Sequence, residues 1–323
     1  MIYFLTILVL LFVLELVYFK IADRFNIIDQ PNHRSSHTKL TIRGGGIIFP
    51  IAVLAYTLFS GFENIYFVVG LMAIAAISFL DDMLTLNNKV RLAIHLSSVL
   101  LLFYQWDLFS LSWYWLFVVL IFVIATINAY NFMDGINGIT GGYSLLTIAT
   151  LYYINTYVVA FIAVHLLMAV AAALVVFNFF NFRTRAKCFA GDVGSVSIAF
   201  ILIFAIGSLI FQTQNIAYVL CLLLYGLDTI TTIIFRLIRK ENIFEAHRSH
   251  FYQFLTNEKK LSHLTVTGIY MGVQLVLNTV ILFALPHSLG ALALVVSVSG
   301  LVFLGLRFAL EGKQRLLGSC QPG

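Results

Sequence analysis

The chain has 323 residues, 61% of them hydrophobic and 10% charged, with a formal net charge of +5. Soluble proteins average about 25% charged residues, so a soluble globule of this length lacks the charge to cover its surface. Four prolines and the absence of any low-complexity tract exclude a disordered or fibrous chain.

Apolar runs near 2–19, 45–60, 65–80, 92–105, 112–132, 141–156, 158–178, 195–211, 216–238, 264–284 and 288–306 predict about eleven transmembrane helices. The whole chain, 1–323, reads as a single all-α polytopic membrane domain with no room for a second, soluble one. The first run has no basic stretch before it and no small-residue cleavage site, which favours a retained helix over a signal peptide.

The basic residues sort by connection. Lys20, Arg24, Arg34, Lys39 and Arg43 fall in the first, Lys89 and Arg91 in the third, Arg183, Arg185 and Lys187 in the seventh. Arg236, Arg239, Lys240, Arg248, Lys259 and Lys260 surround the ninth, and Arg307, Lys313 and Arg315 follow the last helix. These are all 19 Lys and Arg residues; the even connections carry only Glu63 and Asp107. The positive-inside rule then predicts an amino terminus outside and a carboxyl terminus in the cytoplasm. Basic loops of this kind serve topology and anionic headgroups, and do not indicate nucleic acid. Cys188, Cys221 and Cys320 show no metal-ligand spacing, and their odd number predicts free thiols.

Topology does not explain the acids, yet 11 of the 14 fall on the same face. Ionisable groups at helix ends in apolar surroundings are costly and suggest function. In chain order the first group is Asp81-Asp82, in FLDDMLTLNNKVRLAIH. Two adjacent carboxylates exceed what a helix cap needs and suit metal binding or base work, with Lys89 and Arg91 nearby to meet an anion. The plainer reading is an interfacial helix end. The second is NAYNFMDGINGITGG, where Asn128, Asn131 and Asp134 recur every third residue and are followed by Asn137 and four glycines. Amide and carboxylate oxygens can read a nucleobase or complete a magnesium shell. Amide packing between helices would explain one Asn but not the set.

The third group is GDVGS, with Asp192 between two glycines before Ser195, suited to a metal-linked phosphate at a helix start or, more plainly, to an N-cap. The fourth is FEAHRSHFYQFL, where His247, Arg248 and His250 form a compact cationic donor set that could grip a diphosphate; a solvated loop is the alternative. Asp228 and its neighbouring threonines point toward the same face. The joint expectation is an active site built from loops near 20–46, 81–91, 128–142, 181–195 and 239–263.

With QPNHRSSH and RGGG in the first loop, these motifs resemble those of the polyprenyl-phosphate N-acetylhexosamine-1-phosphate transferases, glycosyltransferase family 4. The likeness runs from Gln30 to Gln253; beyond it the tail adds only hydrophobic spans. It implies transfer of N-acetylhexosamine-1-phosphate from a UDP-sugar to undecaprenyl phosphate, releasing UMP, with magnesium or, in its place, manganese. It implies a bacterial inner-membrane enzyme with a cytoplasmic site, and is compatible with a homodimer. By the resemblance, Asp81 or Asp82 is the base, Asp192 is catalytic, and Asn131 and Asp192 hold metal. Asn128, Asp134 and Asn137 contact the nucleotide. Arg91, His247, Arg248 and His250 hold phosphate or sugar, and Arg34, Ser35, Ser36 and His37 fall in the first-loop motif. The chain departs from the family pattern at Asn137, where Asp is frequent in bacterial members, and at RTR and TIRGGG, where proline is usual. HRSH in place of a triple histidine favours an O-antigen or capsule type of donor over the peptidoglycan precursor. One-step and two-step transfer both fit.

Two rival readings fit the sequence less well. A CDP-alcohol phosphotransferase needs Ala-Arg shortly after DG, and DGINGITGGY has no Arg. A transporter of an anionic solute would place its polar groups near the midplane in repeated halves, and no repeat is visible.

Overall fold

The computed structural model describes residues 2–29, 40–84, 86–243, 245, 247–283 and 288–318. Each of the eleven apolar runs contains a helix. These are α1 (Ile2–Arg24), α2 (Ile48–Ser60), α3 (Ile65–Leu84), α4 (Asn88–Gln105), α5 (Trp113–Met133) and α6 (Ile139–Tyr157). They continue with α7 (Val164–Asn181), α8 (Gly191–Thr213) and α9 (Leu223–Ile238). A short α10 (Phe251–Asn257) precedes α11 (His263–Phe283), α12 (Leu289–Glu311) and α13 (Lys313–Leu317). A two-stranded antiparallel ribbon, β1 (Ile28–Asp29) with β2 (Thr41–Ile42), closes the first connection.

The chain is a multi-pass membrane protein, with eight segments long and apolar enough to cross a bilayer among the described residues. The other three runs differ for physical reasons. The 13 residues of α2 rise about 20 Å, short of a hydrocarbon core about 30 Å thick. α4 and α6 reach the length but are diluted by polar residues such as Lys89, Arg91 and His95, or Thr147, Thr150 and Asn155. α7 also begins later than its apolar run, because Asn155 Oδ1 accepts the Phe161 and Ile162 N–H groups (2.9 and 3.2 Å) and holds 158–163 as a connection.

α8 is the axis of the bundle. It packs against α2, α3, α5 and α6, and every residue from Val193 to Ile206 is buried. A helix apolar on all sides must be surrounded by protein or lipid. α12 takes the second course, with only Phe303 and Arg307 buried. Ahead of α9, a 3-10 segment (Ile216–Leu222) interrupts regular backbone inside an apolar span. Gln274 braces the junction: its Oε1 accepts the Tyr143 hydroxyl (2.6 Å) and Leu224 N–H (3.2 Å), and its Nε2 donates to the Leu220 carbonyl (2.8 Å). Irregular backbone is tolerated at membrane depth only where protein groups satisfy it in this way.

At the end of the bundle that carries the sequence motifs, two glycine segments cross. The Gly45 and Gly46 N–H groups donate to the carbonyls of Phe189 and Ala190 (2.9 and 3.1 Å). A Cβ on Gly46 would lie 2.2 Å from Gly194 Cα, so the two backbones touch where no side chain fits. This crossing brings the first connection onto the start of α8.

Candidate active site

Asp82 ends α3 facing the first turn of α8. Its Oδ1 accepts the Asp192 N–H and its Oδ2 the Val193 N–H, both at 3.1 Å. Gly191, at φ +71°, makes room: a Cβ there would meet Asp82 Oδ2 at 2.7 Å. The side chain is fully buried and pairs with Arg43 Nε at 2.7 Å. Asp82 is therefore an inward cap on α8, satisfying donors that the helix leaves open. Asp81 is the more accessible carboxylate; it pairs with Arg91 Nη1 at 2.5 Å and accepts the Leu86 N–H at 2.8 Å.

Asp192 stands between the two arginines and is held loosely by both, 3.5 Å from Arg43 Nη2 and 3.6 Å from Arg91 Nη2. One turn on, the Ser195 hydroxyl donates to Asn131 Oδ1 at 2.8 Å, which places the second motif beside the third. Burial pushes the Asp134 carboxyl up to about 7; the Thr140 hydroxyl opposes the rise, and the Asp192 and Asp82 carboxylates add to it. Asp81, Asp82, Arg91, Asn131, Asp134 and Asp192 thus gather at one end of the bundle, and Arg43 joins them. By sequence, Arg43 has no individual role beyond topology and its place at the head of the RGGG motif; here it pairs with both Asp82 and Asp192.

Other expected residues are placed differently. Asn128 is exposed on α5 and its amide donates to its own helix at the Ile124 carbonyl (2.9 Å). Asn137 is buried, with Nδ2 donating to the Arg183 carbonyl (2.9 Å), so its amide ties two connections together. Arg34, Ser35, Ser36 and His37 lie outside the described residues.

The ninth connection docks onto the Asp134 turn: the Tyr252 hydroxyl donates to the Phe132 carbonyl (2.9 Å) and occupies the space a Gly135 side chain would need. Its histidines are not a cationic pair. Burial, with His250 adding to it, lowers His247 to about 4, so the ring is neutral at pH 7. His250 faces inward, its Nδ1 3.2 Å from Asp228 Oδ1. Arg248 is half-buried between them. The tail also proves to be more than apolar spans, because Arg307 on α12 is buried and donates to the Ser249 carbonyl at 3.0 Å.

Beside this end, α5, α9 and α12 bound a groove of about 650 Å³. Phe122, Tyr130, Tyr225, Ile230 and Ile233 line it, with Asn128 and His247 among its few polar members.

Carboxylates, arginines and amides thus gather at one end of the helical bundle of a multi-pass membrane protein, next to an apolar groove. Residues 64–210 match the family model described as glycosyl transferase family 4. A relative from Bacillus subtilis (strain 168), named "Probable undecaprenyl-phosphate N-acetylglucosaminyl 1-phosphate transferase", is 26% identical over 78% of this chain and 76% of its own. Relatives named undecaprenyl-phosphate alpha-N-acetylglucosaminyl 1-phosphate transferase occur in Escherichia coli (strain K12), 29% identical over 57% of this chain, and Yersinia pestis, 27% identical over 73%. The matches cover 55% of the Escherichia coli relative and 71% of the Yersinia pestis one.

Proposed function

We propose that the protein transfers N-acetylhexosamine-1-phosphate from a UDP-sugar to undecaprenyl phosphate, giving the lipid diphospho-sugar and UMP. The supporting observation is Asp192, a partly exposed carboxylate on the first turn of α8 between Arg43 and Arg91. An oxygen of the lipid phosphate forms a bond to the β-phosphorus of the donor, and the bond to UMP breaks. Both reactants are anions, so fixed positive charge from Arg43 and Arg91 offsets their repulsion where water is scarce. Asp81, partly accessible beside Arg91, is the better placed of the two adjacent carboxylates to orient or deprotonate the lipid phosphate; Asp82 is committed to α8.

The donor set fits magnesium. No group of three His, Cys, Asp or Glu converges among the described residues, but magnesium takes one or two carboxylates plus substrate phosphates in place of an all-protein cage. Asp192 and Asn131 would hold it, adjacent through Ser195. When bound, the metal neutralises the diphosphate and the charge that builds on the departing UMP.

The groove is the apolar surface on which a polyprenyl tail would lie while its phosphate reaches the acids, and His247 at its polar end would meet the donor's phosphates. The basic residues fall in alternate connections, which by the positive-inside rule favours an amino terminus outside and the site in the cytoplasm. The pathway is an early step of O-antigen or other cell-envelope polysaccharide synthesis in a bacterial inner membrane. A transporter is disfavoured because the ionisable groups sit at one end of the bundle. Purified protein with magnesium, undecaprenyl phosphate and a panel of UDP-N-acetylhexosamines should release UMP, and chelation should stop it. No UMP from any donor defeats the reading.

A further inference from the structure

Asp228 lies on α9, away from the Asp81–Asp192 group, and is fully buried. It accepts five hydrogen bonds: from the backbone N–H groups of Phe251 (2.9 Å) and Tyr252 (3.2 Å), the hydroxyls of Tyr270 (2.5 Å) and Thr232 (3.2 Å), and His250 Nδ1 (3.2 Å). A carboxylate in this setting only accepts, so the His250 proton sits on Nδ1. The His250 ring is buried and its Nε2 has no hydrogen-bond partner among the described residues. It forms a platform: the His247 ring stacks on it, centroids 5.0 Å apart and planes 27° from parallel. His247 Nδ1 accepts the Ser249 N–H at 3.3 Å. A neutral ring that accepts at Nδ1 carries its proton on Nε2, which leaves one N–H donor on the residue that lines the groove.

The same assembly is anchored from α12. Arg307 donates to the hydroxyls of Thr231 and Thr232 (2.9 Å each) and to the Ser249 carbonyl, while Glu311 pairs with its Nε at 2.5 Å. Its guanidinium lies 5.1 Å from the Phe235 ring centroid and 5.9 Å from that of Phe251. A buried arginine with this many partners is there to fix a geometry.

We propose that Asp228, His250 and Arg307 are positioning residues that aim the His247 Nε2–H at the donor's phosphate oxygens. The inference rests on the proposed reaction for the part His247 plays. Asp228 sets the tautomer and orientation of His250, His250 supports His247, and Arg307 holds the intervening Ser249.

The test is a double-mutant cycle on the full-length protein. His247→Ala should raise the donor KM about tenfold with kcat little changed, the pattern of lost uniform binding. His250→Asn keeps a donor for Asp228 and removes the stacking ring; it should raise KM similarly. Added to His247→Ala, His250→Asn and Arg307→Met should each cost less than about twofold more, because they act through His247. Fully additive effects, or a fall in kcat at constant KM, would overturn the proposal. Tyr270→Phe removes one of the five donors and should raise KM about threefold; an unchanged KM counts against the proposal even if Asp228→Asn does not fold. Long-range ¹H–¹⁵N spectra of the histidines give a readout free of turnover. A proton on His250 Nδ1, lost in Asp228→Asn, supports the pair even if no UDP-sugar is used, whereas a proton on Nε2 of the wild-type ring refutes it.

Discussion

Arg43 Nε lies 2.7 Å from Asp82 Oδ1, and it joins the first connection to the end of α3 at the point where α8 begins. The carboxylate is fully buried while the arginine is about one-third exposed. Removing the arginine therefore leaves an uncompensated charge inside, although solvent near Arg43 reduces the cost. Arg43→Met should lower stability by about 1–3 kcal/mol and UMP release by about 100-fold. Arg43→Lys should recover part of the stability and little of the rate, since one ammonium cannot reach both Asp82 and Asp192. Thermal unfolding and UMP release from the two variants check this.

The adjacent carboxylates should separate by phenotype. Asp82→Asn turns an amide N–H₂ toward a backbone N–H at the start of α8, and should cost about 1–3 kcal/mol of stability. Asp81→Asn should leave the melting temperature nearly unchanged and reduce kcat. Equal losses of stability in the two variants would show that Asp82 is not the cap described above.

Asn137→Asp tests the departure from the family pattern. The amide donates to the Arg183 carbonyl, and a carboxylate would place negative charge against that oxygen. The expected outcome is a loss of about 1–3 kcal/mol with no gain in turnover. A stable variant with higher activity would show that an acid at this position serves the chemistry.

The pH dependence of stability contains two opposed contributions. Asp134, raised to about 7 in the fold, binds a proton that the unfolded chain has already released above about pH 4, so its contribution falls as pH rises from about 4 to 7. His247, lowered to about 4, is neutral in the fold while the unfolded chain is protonated below about 6.5, so its contribution rises with pH over about 4 to 6.5. Relative to wild type, Asp134→Asn should make the metal-free melting temperature climb more steeply with pH across that window, and His247→Gln less steeply. Identical profiles in all three proteins would remove both assignments.

The long helices and the end that carries the chemistry were legible because both follow from solvation. Apolar runs must meet lipid or protein, and basic residues fall only in alternate connections, so the motifs on those connections group together from sequence. Non-local partnerships were not legible. Arg43 looks like any other basic residue of its connection until the glycine crossing brings it to Asp82. Arg307 and Glu311 look like the end of an apolar span, yet they hold a loop some 60 residues earlier in the chain through Ser249. The 3-10 segment before α9 escaped notice because its residues are as apolar as their neighbours, and the Gln274 that stabilises it lies on another helix. Asn128 shows a related limit: a period of three keeps residues near one helical face but does not say which neighbour that face meets.

The contact of Gly46 with Gly194 also bears on how the protein reaches its final form. The helices between them can associate with near neighbours as each emerges, α3 with α4 and α6 with α7. The crossing must wait for α8 and then close a loop of well over a hundred residues, a step whose entropic cost is met only once the intervening bundle is compact. The catalytic end should therefore be among the last parts to assemble. A nascent chain halted before α8 would contain Arg43, Asp81, Asp82, Arg91 and Asn131 and still have no site.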